Sequence, residues 1–114
     1  MHEGRLFISE GESFTTNEIS ARLRKSFVLP VDKVFEIPGK GSVLTGRITS
    51  GVVRVGESVL LRSGSREIAL TVAFIESNRN LINEAYFTEQ VGLMFKDMDL
   101  SFVGKGDVLI GIPT

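Results

Sequence analysis

Apolar and polar residues alternate along most of the chain after residue 26, in short runs that glycines separate. A period of two is typical of β-strands, and no helical period is sustained there for long enough to compete. The clearest run places Ile68, Leu70, Val72 and Phe74 on one side of one strand, and we expect that side to face a core. The pattern predicts strands over residues 28–37, 42–49, 58–63, 67–76, 90–95 and 108–112.

Turn residues separate these runs. Ser63-Gly64-Ser65 predicts a tight hairpin, because glycine tolerates the positive φ that such a turn requires. Pro38-Gly39-Lys40-Gly41 predicts a tight reversal with Lys40 at its tip, since proline fixes φ and the two glycines permit the turn. Gly46 lies inside a predicted strand and indicates a bulge or the close approach of another backbone. Short strands with regularly spaced turns are typical of a closed or nearly closed antiparallel barrel.

The first 26 residues have a different character. Thr15-Thr16-Asn17-Glu18 has the spacing of a capping box, and Ile19 lies one helical turn before Leu23. This pattern predicts a short helix from Asn17 to Lys25, or otherwise an irregular extension. Residues 5–8 are either an added strand or a frayed end. We therefore divide the chain into an N-terminal extension, residues 1–26, and one β domain, residues 27–114.

Composition removes several classes of function. The chain has 114 residues, 42% of them hydrophobic, which is enough for one core. It has no cysteine, so disulfides, thiolate metal sites and a cysteine nucleophile are excluded. His2 is the only histidine, so a histidine-based triad or metal site cannot be assembled. Without a signal sequence or a long apolar stretch, we expect a soluble cytoplasmic protein that does not enter a membrane.

Charge is distributed unevenly although the net charge is only -1. Nine basic residues oppose three acidic ones over residues 22–66, whereas the segments on either side are acidic. This basic middle is either a face that recognises phosphate or a solvated surface. A phosphate-binding face would require its six central cations to lie together: Lys33, Lys40, Arg47, Arg54, Arg62 and Arg66.

No catalytic motif is present in the sequence. A phosphate-binding loop needs Gly-Lys followed by Ser or Thr, but Gly39-Lys40 is followed by Gly41. Asp97 and Asp99 form a carboxylate pair suited to acid–base work or a hard cation, or else a solvated loop. We expect no enzymatic activity, no cofactor, no metal site and no nucleotide bound by this chain alone.

Several short motifs, in their order and spacing, resemble the second domain of translation GTPases of the elongation factor Tu family. They extend over about residues 27 to 112. The motifs are Val34-Phe35, the Ile37-Pro38-Gly39-Lys40-Gly41 loop, Thr45-Gly46-Arg47, Val55-Gly56-Glu57, the set Glu76, Arg79, Leu81, Glu84, Val91 and Gly92, and the closing Gly106-Asp107-Val108-Leu109. The resemblance implies an all-β fold, a six- or seven-stranded antiparallel closed β-barrel of the translation-factor domain 2 type.

In this family the barrel holds the 3′ end of tRNA or rests on ribosomal RNA. The resemblance therefore implies a non-catalytic RNA-binding module with a translation-related role. Carried over position by position, the RNA-binding residues are Asp32, Phe35, Ile37, Gly39, Lys40, Val43, Thr45, Arg47, Glu76, Arg79 and Gln90. A terminal adenine would lie against Ile37 and Val43, with Glu76 accepting its hydrogen bonds.

The chain departs from the family pattern at three places, one of which is Ser77-Asn78 in place of a more apolar pair. Lys33 stands where tRNA-binding relatives carry an acid, and Gln90 replaces the usual Asn. The partner is therefore tRNA, ribosomal RNA or, as the alternative, a protein. A protein-interaction module would use the barrel as its scaffold and expose an apolar patch in the extension, formed by Phe7, Phe14, Ile19 and Leu23.

Overall fold

The chain folds into antiparallel β-sheets in a computed structural model that describes residues 5–9, 12–15, 17–18 and 25–112. Every pair of strands in these residues is antiparallel. The strands are β1 (Arg5–Ser9), β2 (Glu12–Thr15), β3 (Val28–Pro30), β4 (Lys33–Ile37), β5 (Gly41–Arg47), β6 (Val52–Arg54), β7 (Ser58–Ser63), β8 (Arg66–Thr71), β9 (Phe74–Ser77), β10 (Asn80–Ile82), β11 (Glu84–Tyr86), β12 (Gln90–Lys96) and β13 (Val108–Gly111). The predicted all-β class is confirmed.

Two larger sheets form the body of the domain. One has five strands in the order β10-β9-β12-β5-β4, and the other has four in the order β3-β13-β7-β8. Strands β11 and β6 form a separate pair, and so do β1 and β2. In the described residues no sheet closes on itself, so the prediction of a single closed barrel is not met.

Breaks within two long predicted strands explain this difference. The segment predicted over residues 28–37 is interrupted at Val31-Asp32, and the segment over residues 67–76 at Val72-Ala73, so each one passes from one sheet to the other. Main-chain hydrogen bonds still join the sheets at these breaks. The Asp32 amide donates to the Thr45 carbonyl at 2.7 Å, and the Ala73 amide donates to the Met94 carbonyl at 2.8 Å.

One hydrophobic core takes side chains from both large sheets. Leu44 and Leu93 are register partners on β5 and β12, Leu61 and Leu109 are partners on β7 and β13, and all four are fully buried. The Ser42 hydroxyl is also buried, and it accepts a hydrogen bond from the Leu100 amide at 3.0 Å. The inner face of the five-stranded sheet is thus fixed by the core, and its outer face is left for other contacts.

The predicted inward run on β8 and β9 is only partly correct. Leu70 and Val72 are buried, but Phe74 is 40% exposed. The break at residues 72 and 73 shifts the alternation by one position, so Ile75 points into the core instead. Phe74 is thereby placed on the outer face of the five-stranded sheet.

The N-terminal extension contains a strand pair. Residues 5–8, predicted as a strand or a frayed end, lie in β1, which pairs with β2. The predicted helix from Asn17 to Lys25 is not supported: Asn17 and Glu18 have helical backbone, residues 19–24 lie outside the described residues, and no helix is among the elements of the described chain. The side chains of the predicted apolar patch, Phe7, Phe14, Ile19 and Leu23, also lie outside the described set. No described helix is long and apolar enough to cross a membrane.

Candidate functional site

The outer face of the five-stranded sheet carries an unusual number of exposed apolar side chains. The register places Phe35, Val43, Met94 and Phe74 opposite one another on four neighbouring strands, so they form one row across the sheet. Phe35 is 52% exposed and Phe74 is 40% exposed. Side chains that alternate with this row, such as Leu44 and Leu93, are the buried ones.

A second row runs parallel to the first and is mostly polar. It is made by Lys33, Thr45, Gly92, Glu76 and Leu81, which are successive register partners from β4 to β10. Gly92 lies at its centre and has no side chain, so the sheet is open there. Between Thr45 and Glu76 no side chain of β12 projects from the outer face.

The two rows form a groove around Gly92. One part has a volume of about 470 Å³ and is lined by Phe35, Ile37, Val43, Thr45, Glu76, Ser77, Asn78, Arg79, Gln90, Val91 and Gly92. The adjoining part, of about 310 Å³, is lined by Ile37, Lys40, Val43, Phe74, Glu76, Leu81, Gly92 and Met94. Four residues line both parts, so the two parts adjoin, and we refer to them together as the outer groove.

The rim of the outer groove is shaped by the turn between β9 and β10. Asn78 and Arg79 form its two central positions, with φ angles of 51° and 67°. Positive φ at both positions is the geometry of a type I′ hairpin turn, which favours Asn at the first position and Gly at the second. Arginine at the second position is strained by roughly 1 kcal/mol or more. The turn brings the Arg79 side chain to the groove at that cost.

Cations around the groove have no carboxylate partner in the described part of the chain. The ion pairs found there are Arg54–Glu84, Arg62–Glu67 and Lys105–Asp32. Glu76 and Arg79 are therefore without an ion-pair partner among the described residues. Lys33, Lys40 and Lys96 are unpaired in the same way within residues 25–112. These five charged groups are available to a ligand.

The structure brings most of the predicted site residues together. Seven of the eleven line the larger part of the groove: Phe35, Ile37, Val43, Thr45, Glu76, Arg79 and Gln90. Lys40 lines the adjoining part, and Gly39 lies beside it in the turn between β4 and β5. Their role in RNA binding stays a prediction.

Two predicted residues, Asp32 and Arg47, do not line the groove. The Asp32 carboxylate lies 4.0 Å from the Lys105 ammonium. The Arg47 guanidinium donates a hydrogen bond to the Thr88 carbonyl, so it has a structural partner. Phe74 and Met94 were not predicted as site residues. For Met94 the strand alternation was a usable signal, because Met94 lies between Leu93 and Phe95, which are both buried.

The six central cations do not share one face. Arg54 and Arg62 lie on β6 and β7, where Glu84 and Glu67 hold them at 2.7 Å and 2.6 Å. Arg66 lies over the ring of Phe102, 4.7 Å from its centroid. Only Lys33, Lys40 and Arg47 belong to the five-stranded sheet or its turn. A broad phosphate-binding face is therefore not formed.

Other candidate chemistry is weak in the described residues. No group of three or more His, Cys, Asp or Glu residues among them is placed to hold a metal ion. Hydrogen bonds from the Ser101 hydroxyl and backbone amide lower the pKa of Asp99. Asp99 is thus ionised at neutral pH and unsuited to donate a proton. The outer groove is therefore the best candidate site in the described residues.

Comparison with known proteins agrees with the resemblance found in the sequence. No protein-family model matches the chain. In fold the chain is similar to translation elongation factor SelB from Methanococcus maripaludis, solved in its apo form, with a TM-score of 0.73 and 27% sequence identity. The match covers 82% of this chain and 20% of the SelB chain. The resemblance to a β-domain of translation GTPases is confirmed, and the chain spans a fifth of that factor's length.

Proposed function

We propose that this chain is a non-catalytic binding module with a translation-related role in the cytoplasm, and that its outer groove contacts the 3′ end of an RNA. The scaffold under the groove would be the translation-factor barrel, with main-chain hydrogen bonds at the breaks joining the two large sheets. The observation that carries the proposal is the convergence of Ile37, Val43, Glu76 and Arg79 on one groove of the outer face.

The chemistry of the groove suits a terminal nucleotide. Ile37 and Val43 offer an apolar surface to the flat face of a base, and the Glu76 carboxylate beside them accepts hydrogen bonds from an exocyclic amine or a ribose hydroxyl. Lys40 and Arg79 stand on different sides of these groups and suit phosphate oxygens. Gly92 lets the base approach the sheet backbone without a side chain in the way.

The distribution of charge predicts recognition of an RNA end, not of a long duplex. Within residues 27–112, the cations on the other sheets are paired with carboxylates or stacked on an aromatic ring. Only the few cations around the groove are therefore left there to neutralise phosphates. A single strand that contacts about four cations should show a slope of log K against log salt near -3, and a duplex-binding protein would show a steeper one.

A titration at two salt concentrations tests the proposal. The purified chain is titrated with tRNA and with ribosomal subunits, and the same titrations are made with the Lys40→Ala/Arg79→Ala double variant. A control double variant, Arg62→Ala/Lys105→Ala, removes the same charge away from the groove. We expect saturable, salt-sensitive binding that the first variant loses and the control retains.

Absence of saturable binding to either RNA would reject the proposal, as would equal losses in the two double variants. Equal losses would mean that net charge alone governs the interaction. The alternative, a protein-interaction module, is favoured by the exposure of Leu81, which is 70% accessible, beside Phe74. Binding of a protein partner to the groove that depends little on salt would support that alternative.

A further inference from the structure

We propose that the outer groove holds at least three nucleotides of a single-stranded RNA, with Phe35 and Phe74 each stacking on a different base. This inference rests on the proposed function and adds the length of the ligand and a second base-binding position. Phe74 and Lys96, which form that second position, are not among the residues that the family resemblance implied. The inference therefore depends on what the structure shows of these two residues.

Geometry sets the minimum length of the strand. Phe35 and Phe74 occupy the same row on β4 and β9, with β5 and β12 between them. Neighbouring strands lie about 4.8 Å apart, so three spacings separate the two residues by roughly 14 Å. Bases that stack on each other are only ~3.4 Å apart. One base, or two adjacent stacked bases, cannot contact both rings.

Phe74 has the properties of a stacking platform and not of a core residue. Its ring is 40% exposed although Ile75, next to it, is completely buried. The Lys96 ammonium lies 5.3 Å from the centroid of the ring, and Lys96 itself is exposed. A base that packs against the ring would take the place of this ammonium, which could then contact the phosphate of the same nucleotide.

The path between the two rings is suited to RNA. The two parts of the groove adjoin, with Ile37, Val43, Glu76 and Gly92 in the lining of both. Val43 and Met94, between the rings, offer an apolar surface to an intervening base. The row is therefore apolar from end to end, as a series of bases requires.

Charge favours RNA over an apolar peptide as the occupant. Lys40 and Arg79 line the groove and Lys96 contacts Phe74, and none of the three is paired with a carboxylate in residues 25–112. Glu76 is the one acidic residue that lines the groove. The carboxylates of Glu36, Asp97 and Asp99 lie in an adjoining pocket around the turn that contains Pro38 and Gly39, beyond Ile37 and Lys40, so a polyanion would be kept on the side of Gly92.

Calorimetric titration with adenylates of increasing length tests the inference. The probes are adenosine monophosphate, a three-nucleotide oligoadenylate and a six-nucleotide oligoadenylate, and the variants are Phe74→Ala and Phe102→Ala. Phe102 is a matched control, because it is 41% exposed and lies under Arg66 but does not line the groove. We expect the three-nucleotide probe to bind at least about fivefold more tightly than the monophosphate, the effect of one more stacked base.

Phe74→Ala should abolish this gain, so that the three-nucleotide probe binds the variant no more tightly than the monophosphate does, whereas Phe102→Ala should behave as the unaltered chain. If the longer probes bind no more tightly than the monophosphate, or if both variants keep the gain, the second base position is rejected and the proposed function stands. If none of the probes, tRNA and ribosomal subunits binds, the proposed function fails and this inference fails with it. A glutamate-flanked apolar peptide that binds the groove while no RNA does would also overturn it.

Discussion

Gly92 and Val43 lie so close on the outer face of the five-stranded sheet that a Cβ atom at Gly92 would be 3.0 Å from Cγ1 of Val43. The groove therefore exists because residue 92 has no side chain. Its backbone does not have a positive φ, so other residues are sterically allowed there. The position can be filled if the Val43 side chain shifts by a few tenths of an ångström.

Gly92→Val should close the groove while the domain stays folded. The valine side chain would occupy the space between Val43 and Glu76, and β-branched residues suit a strand. We expect the melting temperature to change by only a few degrees and RNA affinity to fall about tenfold or more, measured by thermal denaturation and calorimetry. Gly104→Val is the control, because nothing lies within 4 Å of a Cβ atom there. Unchanged RNA affinity in Gly92→Val would contradict a ligand in the groove.

Arg79→Gly should lower RNA affinity without lowering the stability of the domain. Arg79 has a φ of 67°, which glycine adopts without strain, although glycine also loses more entropy on folding. We expect the free energy of unfolding to stay the same or to rise by up to about 1 kcal/mol, while RNA affinity falls. Urea denaturation and the tRNA titration measure the two quantities. A variant that is clearly less stable would show that the Arg79 side chain supports the fold instead.

Gly46→Ala should strongly destabilise the domain. A Cβ atom at Gly46 would clash with the carbonyl oxygen of Pro30 and would lie 2.9 Å from Cδ2 of Leu29, which is fully buried. Backbone atoms cannot yield as a flexible side chain can, so we expect a loss of about 3 kcal/mol. Urea denaturation measures it, with Gly104→Ala as the control. A loss below about 1 kcal/mol would mean that β3 and β5 are not packed this closely.

Glu84→Gln should flatten the dependence of stability on pH. The hydroxyl of Tyr86, and then Arg54, lower the pKa of Glu84, and the Glu84 carboxylate raises the pKa of Tyr86. For Glu84 the stabilisation is present above its unfolded pKa and is lost as the pH falls through the lowered folded value. For Tyr86 it is present below the unfolded pKa and is lost as the pH rises towards the raised one.

Melting temperatures between acidic and alkaline pH test this prediction in the unaltered chain and in Glu84→Gln. In the variant, melting temperature should depend less steeply on pH at both the acidic and the alkaline end. The hydrogen bond from the Tyr86 hydroxyl to Glu84 is the largest cause of both pKa shifts. Glu67→Gln is the control, since Arg62 is the ion-pair partner of Glu67 in residues 25–112. A variant that keeps both slopes would show that Glu84 and Tyr86 do not interact in solution.

The sequence predicted the strands well where the alternation was long. Residues 42–49, 58–63 and 90–95 match β5, β7 and β12 within two residues at each end. Gly46 was predicted to mark a bulge or a close backbone approach, and the carbonyl of Pro30 is that close backbone. The three-residue strands β6, β10 and β11 were missed, because alternation over three residues is not distinguishable from a loop.

The part of the site that the sequence did not predict depends on tertiary structure. Apolar residues continue through Val72 and Phe74, so nothing in the pattern shows that the strand breaks there and that Phe74 turns outward. Ile37, Glu76 and Arg79, which the resemblance implied as RNA-binding residues, line one groove, and their role stays a prediction. The resemblance also included Asp32 and Arg47, whose local partners Lys105 and Thr88 become visible only in the folded chain.

The measurement that tests the central claim most directly is a nuclear magnetic resonance titration of the isotope-labelled chain with a single-stranded RNA. If the outer groove binds RNA, amide signals of β5, β9 and β12 around Gly92 should shift, together with those of Asn78 and Arg79. Signals of β7 and β8, on the other large sheet, should stay in place. Shifts that cluster on β7 and β8, or no shifts at saturating RNA, would contradict the account.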